Sequence, residues 1–143
     1  RSLMGWVGVL AVVLALCDGL TVLLGKPMVP DFMRAVYDSA RPSWLLWLAF
    51  VVAAPLFEEI FFRGFLLNGF ASSVIGPAGA VVLTSILWAA IHTQYDLYGI
   101  ATIFVLGVLF AMARLSTGSL IVPLVLHAVT NTVAAAEAAL LGG

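Results

Sequence analysis

The stretch WLLWLAFVVAAPLFEEIFFRGFLLNGF, residues 44–70, carries Glu58, Glu59 and Arg63 in the middle of an apolar run long enough to cross a bilayer. A spanning helix needs roughly 20 mainly apolar residues. An ionisable side chain in hydrocarbon costs about 2.5–3.5 kcal/mol on insertion scales, so it must face a bundle interior and find a partner there. This one stretch therefore predicts an all-α, polytopic transmembrane bundle built around a polar centre.

The rest of the chain agrees. Of 143 residues, 64% are hydrophobic and 9% charged, with a mean hydropathy of +1.19, whereas a soluble domain carries about 25% charged residues. The net charge is -1 and the basic residues are scattered, which argues against nucleic acid as a partner. Cys17 stands alone in an apolar run and reads as a small buried hydrophobe.

The spanning template fits in about five places, near residues 3–25, 43–70, 76–92, 97–113 and 120–141. Together they predict a single transmembrane domain over residues 1–143, in a multi-pass integral membrane protein. The chain begins at Arg1, and its first apolar run is too long for a signal peptide and lacks a small-residue cleavage site. The expectation is a truncated or core piece of a longer protein. Between the first two segments, PDFMRAVYDSA reads as a short interfacial helix with Asp31 as its N-cap. The loop carrying Lys26, Arg34 and Arg41 is the most basic, which places it on the cytoplasmic side.

Glu59 and Arg63 are four residues apart, on one helix face and within ion-pair reach. Glu58 is rotated from Glu59 by about 100° and needs a partner from another helix. Two other segments offer partners: SILWAAIHT places Trp88 and His92 four apart, and PLVLHAVTN does the same for His127 and Asn131. A lone intramembrane histidine often only hydrogen-bonds a neighbouring helix. Glu58, His92, His127 and Asn131 together, from three apolar segments, are harder to explain as packing. Asp18 and Glu137, the remaining intramembrane acids, read as groups that reach an interface.

A carboxylate and an imidazole sharing one water can take its proton and direct it at a carbonyl. Glu58 would be the general base, and His127 with Asn131, one turn apart, would donate to the tetrahedral oxyanion. Glu59 and Arg63 would fix the helix and the local field. The reaction so predicted is amide-bond hydrolysis with no cofactor. A zinc reading uses Glu58, His92 and His127 as three ligands with water in the fourth position, but the sequence lacks the HExxH pattern, so the metal-free reading is favoured.

These residues resemble the CPBP group of CAAX-type prenyl-protein endopeptidases and bacteriocin-processing proteins, also called the Abi family. EEIFFR (58–63), WAAIH (88–92) and HAVTN (127–131) match its three motifs in order, and the resemblance covers residues 44–136. Trp88 stands where the family usually has phenylalanine and should keep an aromatic wall. The resemblance implies that Glu58 and His92 activate the water while His127 and Asn131 form the oxyanion hole, under either a metalloprotease or a metal-free glutamate-protease account. It further implies a membrane-associated or prenylated-type substrate, a peptide embedded in the membrane or anchored to it by lipid, with the lipid bilayer as surroundings and a prokaryotic cell membrane as location. Two other classes use similar residues. A non-catalytic scaffold or chaperone would keep the cluster dry, and a proton-coupled transporter would show an inverted repeat, of which the sequence has no trace.

Overall fold

A computed structural model describes residues 2–141, and among these every regular element is a helix. Helix α1 spans Leu3–Leu23, α2 Asp31–Ser39, α3 Ser43–Ala71, α4 Gly76–Ala90, α5 Leu97–Thr117 and α6 Ile121–Leu141. Four of them, α1, α3, α5 and α6, are long and apolar enough to cross a membrane. The third expected span is shorter than the sequence suggested. Helix α4 stops at Ala90 after 15 residues, a rise of about 22 Å against roughly 30 Å of hydrocarbon. His92 is thereby left in the turn beyond the helix.

Local chemistry explains three of the helix ends. The Ser2 side chain accepts from Gly5 N–H at the start of α1, and Asp96 accepts from Gly99 N–H at the start of α5. Gly118, at φ 68°, closes α5 in the left-handed conformation that glycine adopts without steric cost. Asp31 departs from expectation. Pro30 occupies the N-cap of α2, and Asp31 is the first helical residue, with no side-chain cap. Its carboxylate instead faces the positive end of the helix dipole. The amphipathic face of α2 buries Met33, which packs with Val29 against Ala138 of α6.

Helix α3 is the irregular one. It contains two π-helical stretches, Leu48–Ala53 and Ile60–Leu66, on either side of an α-helical segment holding Pro55, Glu58 and Glu59. Proline has no N–H and clashes with the preceding turn. The wider π turn ahead of Pro55 accommodates that: Ala54 N–H bonds back five residues to the Ala49 carbonyl. The Phe50 carbonyl would next accept from residue 55 in this register, and Pro55 has nothing to donate. A side chain from α6 fills the gap, as described below.

The core runs between the helices. Trp6 and Leu10 of α1, Phe62 of α3, Trp88 of α4, Leu106, Leu109, Phe110 and Ala113 of α5, and Val122 and Leu126 of α6 form its main cluster. Large apolar side chains such as Val12, Leu16, Phe57, Phe65 and Leu141 are exposed around the outside, as a bilayer solvent requires. Helices α4 and α5 are the most extensively packed pair, and Gly107 is what lets them approach. A Cβ on Gly107 would lie 3.1 Å from both Ser85 Cβ and Trp88 Cε3, and 3.2 Å from Ser85 Cα. Overpacking of this kind costs about 1–3 kcal/mol, so Gly107→Ala should lower the melting temperature in detergent. An unchanged melting temperature would show that the two helices part freely.

Candidate active site

The buried polar centre is built on Glu59. Its side chain is fully buried, and its Oε1 accepts from Arg63 Nη1 at 3.0 Å and from His127 Nδ1 at 2.9 Å. Arg63, equally buried, also donates through Nη2 to the Gly107 carbonyl at 3.2 Å. Its guanidinium lies 4.4 Å from the centre of the Trp88 ring and 5.4 Å from that of Phe110. This is the ion pair expected from the four-residue spacing, extended by two partners that the spacing could not reveal. Glu59 is thus the acceptor that fixes the His127 ring: with a carboxylate at Nδ1, that nitrogen carries the proton, and Nε2 points elsewhere.

It points toward Glu58. The distance from His127 Nε2 to Glu58 Oε2 is 4.0 Å, too long for a direct hydrogen bond but short enough for one water to touch both at about 2.8 Å. The Glu58 side chain is 18% exposed, and its Oε2 accepts a hydrogen bond from Trp88 Nε1. The sequence had placed Trp88 as a wall and His92 as the partner of Glu58. The structure instead gives Trp88 the direct contact.

His92 approaches from the turn after α4. Its Nδ1 lies 2.8 Å from the Trp88 carbonyl. A carbonyl can only accept, so Nδ1 carries the proton and Nε2 is the free acceptor in the neutral ring. The ring sits edge-on to Trp88 with centroids 5.3 Å apart. Asn131 donates from Nδ2 to the Phe50 carbonyl at 2.8 Å, the acceptor that the π turn and Pro55 leave without a backbone donor. One Asn131 N–H is therefore committed to fixing α6 against α3, and the second remains for other work.

Glu58, Trp88, His92, His127 and Asn131 all line one cavity of about 580 Å³. The convergence expected from three separate segments is thus present. The cavity reaches the end of the bundle where the α1–α2 loop meets the α4–α5 turn, with Lys26, Pro27, Met28, Phe32, Gln94, Tyr95 and Asp96 on its walls. Lys26 pairs with Asp96 across that end. This bond and the Gly99 N–H hold the Asp96 carboxyl below its usual range, while burial pushes the Tyr95 hydroxyl up and keeps it a neutral donor. Asp18 and Glu137, read from sequence as interfacial, line the same cavity. The sequence carried no signal for that, because it depends on how α1 and α6 are rotated.

Among the described residues no group of three His, Cys, Asp or Glu side chains converges as a metal's ligand set. The residues as placed do not fit the zinc reading, and no step below is routed through a metal.

Comparison with known proteins identifies the family. Residues 40–133, most of the 44–136 core expected from the motifs, match the family described as Type II CAAX prenyl endopeptidase Rce1-like. An Escherichia coli protein named "Uncharacterized 24.3 kDa protein" is 35% identical over 130 residues, covering 88% of this chain and 59% of that protein. "UPF0177 protein YbdI" of Lactococcus lactis is 33% identical over 57 residues, 40% of this chain and 29% of that protein. The chain thus spans less than two thirds of the length of either relative. No solved structure matches it. With the matched segment carrying α3, α4, α5 and the polar half of α6, the chain is an integral membrane protein that belongs to the Rce1-like type II CAAX prenyl endopeptidase family.

Proposed function

We propose that the chain is an intramembrane endopeptidase that hydrolyses a peptide bond with water activated by Glu58. The observation that carries this reading is the 4.0 Å gap between Glu58 Oε2 and His127 Nε2, set in a cavity that runs from an apolar bundle to a loop-lined end. In the proposed reaction Glu58 takes a proton from a water in that gap, and the resulting hydroxide oxygen bonds to the substrate carbonyl carbon. The oxyanion is met by the second N–H of Asn131 and by the His127 ring, which Glu59 orients through Nδ1. The C–N bond then breaks. His92 Nε2 relays the proton from Glu58 to the leaving nitrogen, so one water is consumed and both carboxylate and imidazole return to their starting forms.

The substrate proposed is a membrane-embedded or lipid-anchored peptide, since the cavity opens at the end of a bundle whose outer surface is apolar. The relatives in two bacteria support a prokaryotic cell membrane as the location. Reconstitution in liposomes with two substrate sets, transmembrane peptides and peptides carrying a farnesyl cysteine, tests the function by mass spectrometry of the products. Cleavage within one set is expected, reduced about a hundredfold or more in His92→Ala. Absence of any product from either set, or equal cleavage by His92→Ala, would overturn the proposal.

A further inference from the structure

Trp88 is 3% exposed and is held on every side. The Arg63 guanidinium covers its ring at 4.4 Å, the His127 and His92 rings meet it edge-on at 5.2 and 5.3 Å, Phe110 lies at 5.7 Å, and Gly107 leaves no room behind it. An indole so clamped has one orientation, and in it the Nε1–H is aimed at Glu58 Oε2. A free glutamate side chain on a helix samples several rotamers and can turn either oxygen to a neighbour. This one cannot.

We propose that Trp88 is a positioning residue for Glu58: its indole N–H ties down Oε2 and so holds the carboxylate in one orientation, facing His127 Nε2 across the gap of one water. The proposal rests on the peptidase reading above and assigns to this chain's tryptophan a task that phenylalanine, the residue usual at this position in the family it resembles, cannot perform, because a phenyl ring donates no hydrogen bond. A hydrogen bond to an ionised group is strong and directional, and small misplacements of a reacting group cost large factors in rate. Its loss should therefore appear in kcat, while substrate binding along the cavity is left largely as it was.

Two measurements on the whole chain test this. Trp88→Phe keeps an aromatic ring between Arg63 and His127 and removes only the donor. It should lower kcat about ten- to a hundredfold with KM within about twofold, whereas a merely structural tryptophan would move the melting temperature and leave kcat alone. The second measurement needs no change at Trp88. With tryptophan indoles labelled with ¹⁵N, the Trp88 N–H resonance should move on Glu58→Gln, while those of Trp6, Trp44 and Trp47 stay in place. Parental kcat in Trp88→Phe, or a Trp88 resonance indifferent to Glu58→Gln, overturns the positioning role and leaves the peptidase reading intact. Cleavage by Glu58→Gln itself overturns the peptidase reading, and the positioning proposal falls with it.

Discussion

Glu58→Gln should leave a chain that folds, melts near the parental temperature in detergent, and does not cleave. The amide is nearly isosteric with the carboxylate, and its carbonyl can still accept from Trp88 Nε1, so the contact that holds the side chain survives. What it cannot do is take a proton from water at neutral pH. General-base catalysis is worth typically 10²- to 10⁴-fold, and the adjacent Glu59 is not placed to replace it: its Oε1 is committed to Arg63 and His127, and the side chain is fully buried. Loss of at least about 10²-fold in cleavage, with an unchanged melting curve, is the expected result. Loss of both would point to a structural role instead.

The second large effect falls on stability. Arg63 is buried among Glu59, the Gly107 carbonyl and the faces of Trp88 and Phe110. Removing one partner of a buried ion pair strands the other charge and costs about 3–5 kcal/mol, a large share of the 5–15 kcal/mol that holds an ordinary domain together. Arg63→Met should therefore collapse the melting temperature or the yield of monodisperse protein. Replacing both charges, as Arg63→Met with Glu59→Leu, should recover much of the lost stability, because an apolar pair of similar volume needs no counter-charge. Activity should not return with it, since His127 would lose the carboxylate that orients its ring. A double variant as unstable as the single one would show that packing, not charge, is what Arg63 supplies.

Much of this site was legible before any coordinates. Spacing alone paired Glu59 with Arg63, separated Glu58 from both, and brought His127 and Asn131 to one face, because a helix fixes which side chains share a side. Hydropathy placed the helices to within a few residues. The features that escaped depend on geometry between helices or on local departures from helical register. Trp88 was read as an aromatic wall, since nothing in WAAIH says where its N–H points. The Asn131 contact with Phe50 requires the π turn that Pro55 accommodates, and a proline in a sequence does not announce whether it kinks, breaks or widens a helix. Asp18 and Glu137 looked peripheral by position and prove to face the cavity, a matter of helix rotation. The short α4 was overestimated because the apolar pattern continues through Ile91, past the point where the backbone turns.

On this account a partly buried carboxylate, two histidines and an asparagine make this membrane protein a water-using peptidase. The most direct test is the cleavage of a membrane-inserted peptide by the purified chain in metal-stripped bicelles, followed by mass spectrometry beside the Glu58→Gln chain. A single internal scission by the parent, undiminished by chelator and absent from Glu58→Gln, is the predicted result. Activity lost together with stoichiometric zinc, or the same scission by Glu58→Gln, would contradict it.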